Sequence, residues 1–227
     1  MSPARRAFLA SHSPPPVAAL DPRSTPKQER SRHRQQLLLD AAEIMVAETG
    51  LEGLSVREIG RRTGIPIASV YHYFPSAAAM MRALALRQFA DVERLIEARL
   101  EEAGGLLSDL ARAPLVASAV IDDLARYLDE RPGAAAVWAA LRSHPELRAA
   151  ALADEIHKAR SLTPVVAPML HESRTVTAEH LALVIMETIS ANLMYARELG
   201  VDHQRLHVSA LKLFIEAGLR ELSVARR

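Results

Sequence analysis

Between Gly50 and Ser76 the chain is punctuated so closely that short helices joined by tight turns are the structure it can form. Gly50 offers a left-handed stop to whatever helix precedes it. Ser55, followed three residues later by Glu58, is the capping-box arrangement, in which each side chain satisfies the other's free backbone N–H; it starts a helix near Val56. That helix runs to about Thr63, where Gly64 permits a turn and Pro66 presets φ for a new first turn. Ile67 to Phe74 then form a second short helix, Pro75 ends it, and Ser76 caps a longer helix reaching about Glu102.

Outside this segment the pattern stays helical. Glycine is scarce at 9 residues and no β-branched alternation occurs, so the expected class is all-α with no sheet. From Gln35 one apolar stripe is Leu38, Ala42 and Met45, with Leu37, Ala41 and Ile44 beside it. Gly104 and Gly105 break the long helix, and Pro114, Pro132 and Pro145 mark helix starts or the loops before them. Helices are expected near 108–130, 132–143 and 145–171, with Pro164 kinking or splitting the last. Two long helices follow, 177–199 and 203–223, with Gly200 as stop and Asp202 as N-cap. Residues 1–29 hold 6 of the 13 prolines and no helical period, so a disordered arm is expected there. The arm and its continuation, with Arg23, Lys27, Arg30, Arg32 and Arg34, are basic, which suits either contact with a polyanion or a solvated tail.

Several classes of function fall away. No apolar run reaches the roughly 18 residues that span a bilayer, and the interrupted start from Met1 to Ala10 is not a secretory signal. With no cysteine there are neither disulfides nor thiolate metal sites, which suits a reducing cytoplasm. His203 and His207 share a helical face but lack the acidic partner of a zinc-binding HExxH motif, so no metal or cofactor is expected. His144 reads as a helix boundary, and Asp122 and Asp123 point to adjacent faces of one helix. Without a nucleophile elbow, phosphate-cradling loop or paired acids, an enzyme is not expected.

The net charge of +1 conceals an asymmetry. Residues 1–90 carry 12 Lys+Arg against 7 Asp+Glu, net +5, and the remainder is net −4, so the basic half is the candidate for a polyanion partner. A capped short helix, a Gly-containing turn and a second short helix after a longer amphipathic one make a helix-turn-helix, whose last helix enters the major groove. Inward positions must be apolar, as Val56, Ile59, Ile65, Val70 and Phe74 are. Outward positions must be polar or able to lie against DNA, as Arg57, Arg61, Ser69, Tyr71, His72 and Tyr73 are.

The stretch LSVREIGRRTGIPIASVYHYFPSAAAM, Leu54 to Met80, resembles the DNA-binding signature of the TetR family of bacterial regulators, with the similarity covering about residues 35–85. The resemblance implies contact with double-stranded DNA by Arg57 and by Ile67, Ala68, Ser69, Tyr71, His72 and Tyr73. The family's usual Lys after the Ser cap is Ala77 here, followed by Ala78, which removes one phosphate contact and lowers the salt-dependence slope by about 0.9 per half-site. Ile67 and Ala68 make no bidentate base contact but suit thymine methyl groups, leaving Arg57, Ser69 and His72 to read bases by hydrogen bonds.

In the last helix Leu211, Phe214, Ile215, Gly218, Leu219 and Leu222 form a broad apolar stripe, matched by Leu181, Ile185 and Ile189 on the helix before it. Joined across a two-fold axis these would make a four-helix homodimer interface; alone they would be an intramolecular core, and the resemblance favours the dimer. Tyr127, Trp138, His157, Met169, Met186, Asn192, Met194 and Tyr195 are candidates to line a mostly apolar ligand cavity. The expectation is an arm over 1–29, a helix-turn-helix domain over 30–78 and a ligand-binding, dimerising helical domain over 79–227. Such a chain is a cytoplasmic DNA-binding regulator, a repressor released by a small apolar or aromatic molecule. The competing expectation is a helical small-molecule-binding or adaptor dimer that has lost DNA binding.

Overall fold

The computed structural model describes residues 26–104, 112–143, 145–170 and 176–224. Every regular element among them is helical, in the order α1 (Pro26–Thr49), α2 (Val56–Thr63), α3 (Ile67–Tyr73), α4 (Ala77–Glu102), α5 (Ala113–Glu130), α6 (Pro132–Ser143), α7 (Pro145–Val166), α8 (Ala178–Glu198) and α9 (Val201–Val224). Short 3-10 turns at Leu51–Gly53 and Ala167–Met169 follow α1 and α7. Of the disordered arm expected over residues 1–29, residues 1–25 lie outside the described residues, as does the boundary role of His144, while 26–29 are helical and open α1.

The described helices fall into two compact units. One holds the residues up to Gln88 together with Arg131–Arg148; the other holds Phe89–Glu130 and the chain from Ala149 onward. The division expected at 78/79 therefore gives way to one in which α6 rejoins the N-terminal unit, where it packs on α1. Gly133 permits that approach, because a Cβ at this position would overlap both the backbone and the side chain of Glu43.

In the N-terminal unit α1 buries Leu38, Leu39, Ala42, Met45 and Val46. Leu37 and Ile44, expected on the second apolar stripe, are instead 43 % and 56 % exposed; Leu39 and Val46 take that place. Helix α1 also begins nine residues before the expected Gln35, at Pro26. Hydrophobic periodicity is blind to a turn made of Lys27, Gln28, Glu29 and Arg30, yet none of these breaks a helix and proline is favoured at a first helical position. Gly50 and Gly64 adopt φ of 71° and 67°, the left-handed region that ends α1 and α2.

In the C-terminal unit α9 lies along α5 and α8 and contacts the Ala167–Met169 turn. Its inward stripe is Leu211, Ile215 and Leu219, and α8 contributes Ile189, Leu193 and Ala196. Each fully buried aliphatic side chain of this kind stabilises the fold by about 1.5–3 kcal/mol. Ion pairs tie the rims: Lys212 Nζ lies 2.6 Å from Asp122 Oδ2, and Arg197 pairs with Asp129. Hydrogen bonds from Arg99 hold the Asp123 carboxyl below its ordinary range. Thr177 caps α8 by accepting from His180 N–H at 3.3 Å.

Two boundary expectations change here. Of the kink or split expected at Pro164, the split does not occur, since α7 runs two residues beyond it, to Val166, short of the expected 171. Gly200 caps the start of α9, its carbonyl accepting from Gln204 N–H at 2.9 Å, so Asp202 falls inside the first turn, where its negative charge faces the positive end of the helix dipole.

Candidate nucleic-acid interface

The helix-turn-helix is built from α2 and α3, which pack on one another, with α1 against α2. Its inward side chains are the expected ones: Val56, Ile59, Val70 and Phe74 are 6 %, 0 %, 0 % and 2 % exposed, and Ile65 is half-buried. Gly60 sets how closely the two helices cross, because a Cβ there would meet the Ile65 carbonyl at 3.3 Å and Val70 Cγ2 at 3.4 Å. Thr63 closes the turn, donating its hydroxyl to the Ile59 carbonyl at 2.8 Å and accepting from Ile65 N–H at 3.4 Å. The free N–H groups at the start of α4 are partly met by Ser76, whose hydroxyl accepts from Ala79 N–H at 3.1 Å.

The capping box at the start of α2 is only half formed. Ser55 Oγ accepts from Glu58 N–H at 3.4 Å, but the Glu58 carboxylate does not return to Ser55. It is held by Arg61 at 2.6 and 2.8 Å and by Arg62 at 3.2 Å, and the Ser55 N–H turns to Met45 Sδ at 3.5 Å. Two guanidinium groups outcompete one backbone N–H for a carboxylate, since bonds between charged partners are about twice as strong as neutral ones. They hold the Glu58 carboxyl down from about 4.5 to about 2, first through the Arg61 hydrogen bond and then through that of Arg62. Arg62 also reaches Glu48 Oε2 at 2.7 Å.

These pairs sort the cations of α2. Arg61 and Arg62 are already balanced by acids, whereas Arg57 is exposed and makes no ion pair among the described residues. On α3, Ile67 is 40 % and Tyr71 46 % exposed, Ala68 and His72 are exposed, and Ser69 is half-buried. Arg57, Ile67, Ala68, Tyr71 and His72 are thus presented at the surface of adjoining short helices. Tyr73 differs: it is half-buried, its hydroxyl lies 3.1 Å from Ser31 Oγ on α1, and its ring meets that of His72 edge-on at 5.5 Å. Ser31 stands 42 residues away in a stretch without apolar period, so no signal in the sequence points to this contact.

The residues expected to bind a ligand are not gathered in one unit. Trp138 belongs to the N-terminal unit and the other seven to the C-terminal one. Tyr127 donates to Asp91 Oδ2 at 3.2 Å, Met169 is buried, Met186 packs against the Ala159, Val166 and Ala182 cluster, and Met194 is half-buried. Asn192 faces His207 Nε2 at 3.0 Å, while Tyr195, 53 % exposed, meets the His207 ring edge-on; His157 is also exposed.

The stripes expected to dimerise divide in the same way. Leu211, Ile215, Leu219 and Ile189 are 5–7 % exposed, turned into their own unit, with little surface left for a partner. Leu181, Ile185 and Leu222 are half-buried, Phe214 is 69 % exposed, and Gly218 is exposed. The apolar face that remains uncovered is Val184 and Tyr195 on α8 with Leu206, Leu213 and Phe214 on α9, each more than half exposed. On so long a helix, periodicity reveals that two faces are apolar but not which one the unit itself covers.

A capped α2, a glycine turn and an exposed α3, leading into a helical body, define the helix-turn-helix class of transcriptional regulators. Residues 38–84 match the model of bacterial regulatory proteins of the tetR family, and residues 111–222 match that of the tetracyclin repressor-like C-terminal domain. The chain belongs to the TetR family. Solved structures share its fold at low identity. The transcriptional regulator FadR from Bacillus subtilis, in complex with stearoyl-CoA, is 18 % identical with a TM-score of 0.59, covering 81 % of this chain and 96 % of its own. A transcriptional regulator from Rhodococcus sp. Rha1 is 24 % identical with a TM-score of 0.57, covering 81 % and 96 %. A transcriptional regulator of the TerR/AcrR family from Aquifex aeolicus VF5 is 16 % identical with a TM-score of 0.55, covering 83 % and 98 %. No curated protein matches the chain. No helix among the described residues is long and apolar enough to cross a membrane.

Proposed function

We propose that this chain is a non-enzymatic, homodimeric DNA-binding repressor whose operator complex is released by a small apolar or aromatic ligand. The observation that carries the reading is the exposure of Arg57, Ile67, Ala68, Tyr71 and His72 together on α2 and α3. Arg57, unpaired, supplies charge for phosphate or a bidentate contact to guanine; Ile67 and Ala68 offer methyl-sized surfaces to thymine; Tyr71 and His72 supply polar tips. Ser69 and Tyr73 contribute from the half-buried edge, Tyr73 through the hydroxyl it shares with Ser31. A second copy covers Val184, Tyr195, Leu206, Leu213 and Phe214. Reading a two-fold site requires the two α3 helices of such a dimer to stand about one DNA turn, roughly 34 Å, apart.

Release requires a ligand that binds the free and DNA-bound geometries unequally. The C-terminal unit, with Tyr127, His157, Met169, Met186, Asn192, Met194 and Tyr195, is the body offered to it, and α4, continuous from Ala77 to Glu102, is the element that carries the shift. The FadR neighbour is seen with stearoyl-CoA, so a body of this fold can hold a molecule that is partly apolar. Ala77, where the family usually has Lys, favours a second reading in which the chain is a ligand-binding adaptor without DNA contact.

Gel-shift titration of the purified chain against the DNA flanking its own gene separates the two readings. The regulator predicts salt-sensitive binding that weakens about tenfold for Arg57→Ala, the loss of one charge-assisted contact, and less for Tyr71→Phe. Absent or salt-independent binding supports the adaptor.

A further inference from the structure

Buried polar atoms without a partner, among the described residues, all lie in the N-terminal unit. Gln88 on α4 is 0 % exposed, and neither its Oε1 nor its Nε2 has a hydrogen-bond partner. The indole Nε1 of Trp138 on α6 is buried without one too. Arg87 Nε is the remaining such atom, but its guanidinium is anchored through the other nitrogens to Asp40, Glu43 and the Leu39 carbonyl.

Gln88 is out of keeping with its helix face. Met81, Leu84 and Ala85, seven, four and three residues before it, are all 0–2 % exposed and apolar, so a leucine would continue the stripe. A buried amide with both ends unmet is strongly disfavoured, and native interiors keep few such groups without a partner. The cation next to it in sequence is already balanced: Arg87 pairs with Asp40 and Glu43. Arg87 is thus not free to serve as the counter-charge of an anionic ligand.

We propose that the Gln88 carboxamide is the polar anchor of a ligand site taking a small, neutral, mainly apolar molecule with an acceptor and an N–H or O–H donor side by side, as in a carboxamide or lactam. The amide of Gln88 pairs with such an edge through two parallel hydrogen bonds. This rests on the ligand-responsive reading above, places the polar anchor on α4 in the N-terminal unit rather than among the C-terminal candidates, and names the chemistry that the ligand carries.

Calorimetric titration and thermal melts of the full chain with benzamide, 2-pyridone, benzoate and toluene test it. Wild-type protein is expected to prefer the two neutral amide-edged probes over toluene and benzoate. Gln88→Leu, or Gln88→Met should the branched side chain not fold, is expected to bind them about tenfold more weakly while toluene binding holds. Without probe, the variant should melt no lower than wild type, because two unmet polar atoms are gone. A variant that melts well below wild type would show the amide to be satisfied within the fold, and so would overturn the proposal. Equal response of wild type and variant to benzamide and 2-pyridone, or no preference for them in wild type, would do the same. DNA binding is read separately: a chain that discriminates the probes but ignores every duplex contradicts the regulator reading and leaves the Gln88 anchor intact, and the converse pattern does the reverse.

Discussion

Glu58 shows how one side chain sorts the charges of the DNA-facing helices. By holding Arg61 and Arg62 it leaves Arg57 as the unengaged cation of α2, and its own carboxyl is held down to about 2. A carboxyl whose folded value lies below its unfolded one stabilises the protein above the unfolded value and loses that contribution as pH falls through the folded one. The Tm difference between wild type and Glu58→Gln is therefore expected to be full above about pH 4.5 and to vanish towards about pH 2, as melts across that window will read. The difference should be small, because exposed pairs are screened by solvent and salt. A difference independent of pH would mean that the arginines do not hold this carboxylate in solution. The sequence made Glu58 legible as a capping residue, since its distance from Ser55 is fixed by the helix. It could not show that the arginines one turn on would take the carboxylate away.

Between elements, the decisive feature is the buried Glu43 of α1. Its carboxylate is 7 % exposed and accepts from Arg87 of α4 and from Arg131, which precedes α6, with Arg131 Nη2 at 2.7 Å and Nε at 3.0 Å. Three segments of the N-terminal unit thus meet on one acid. Glu43→Gln keeps the shape but removes the charge, and is expected to destabilise the protein by about 2 kcal/mol, the scale of a hydrogen bond to a charged partner. Urea unfolding monitored by circular dichroism will read the loss; an unchanged midpoint would contradict this role for the acid. Helix starts and stops were legible where they rest on local chemistry: Gly64, Pro66 and Ser76 set α2, α3 and α4 close to where the sequence puts them. Joining α6 to α1 was not, because it depends on residues 43, 87, 131 and 133 meeting across long sequence separations. The polar first turns of α1 were not legible for the opposite reason: nothing apolar marks them.

For the whole molecule, the sequence disclosed the class through the dense punctuation around Gly64, and the exposed α3 surface agrees with it. Which apolar face of α9 serves the unit's own core and which remains uncovered needed the packing of α5 and α8 to decide. The central claim is that two copies of α3, brought together through the uncovered α8 and α9 face, read a duplex. Selection of binding sites from random duplexes by the full chain at low ionic strength tests that claim most directly. The account predicts enrichment of a two-fold symmetric site with half-sites centred about one helical turn apart and thymine at a step contacted by Ile67 or Ala68. Recovery of no enriched sequence, or of a single unsymmetric half-site, would contradict it.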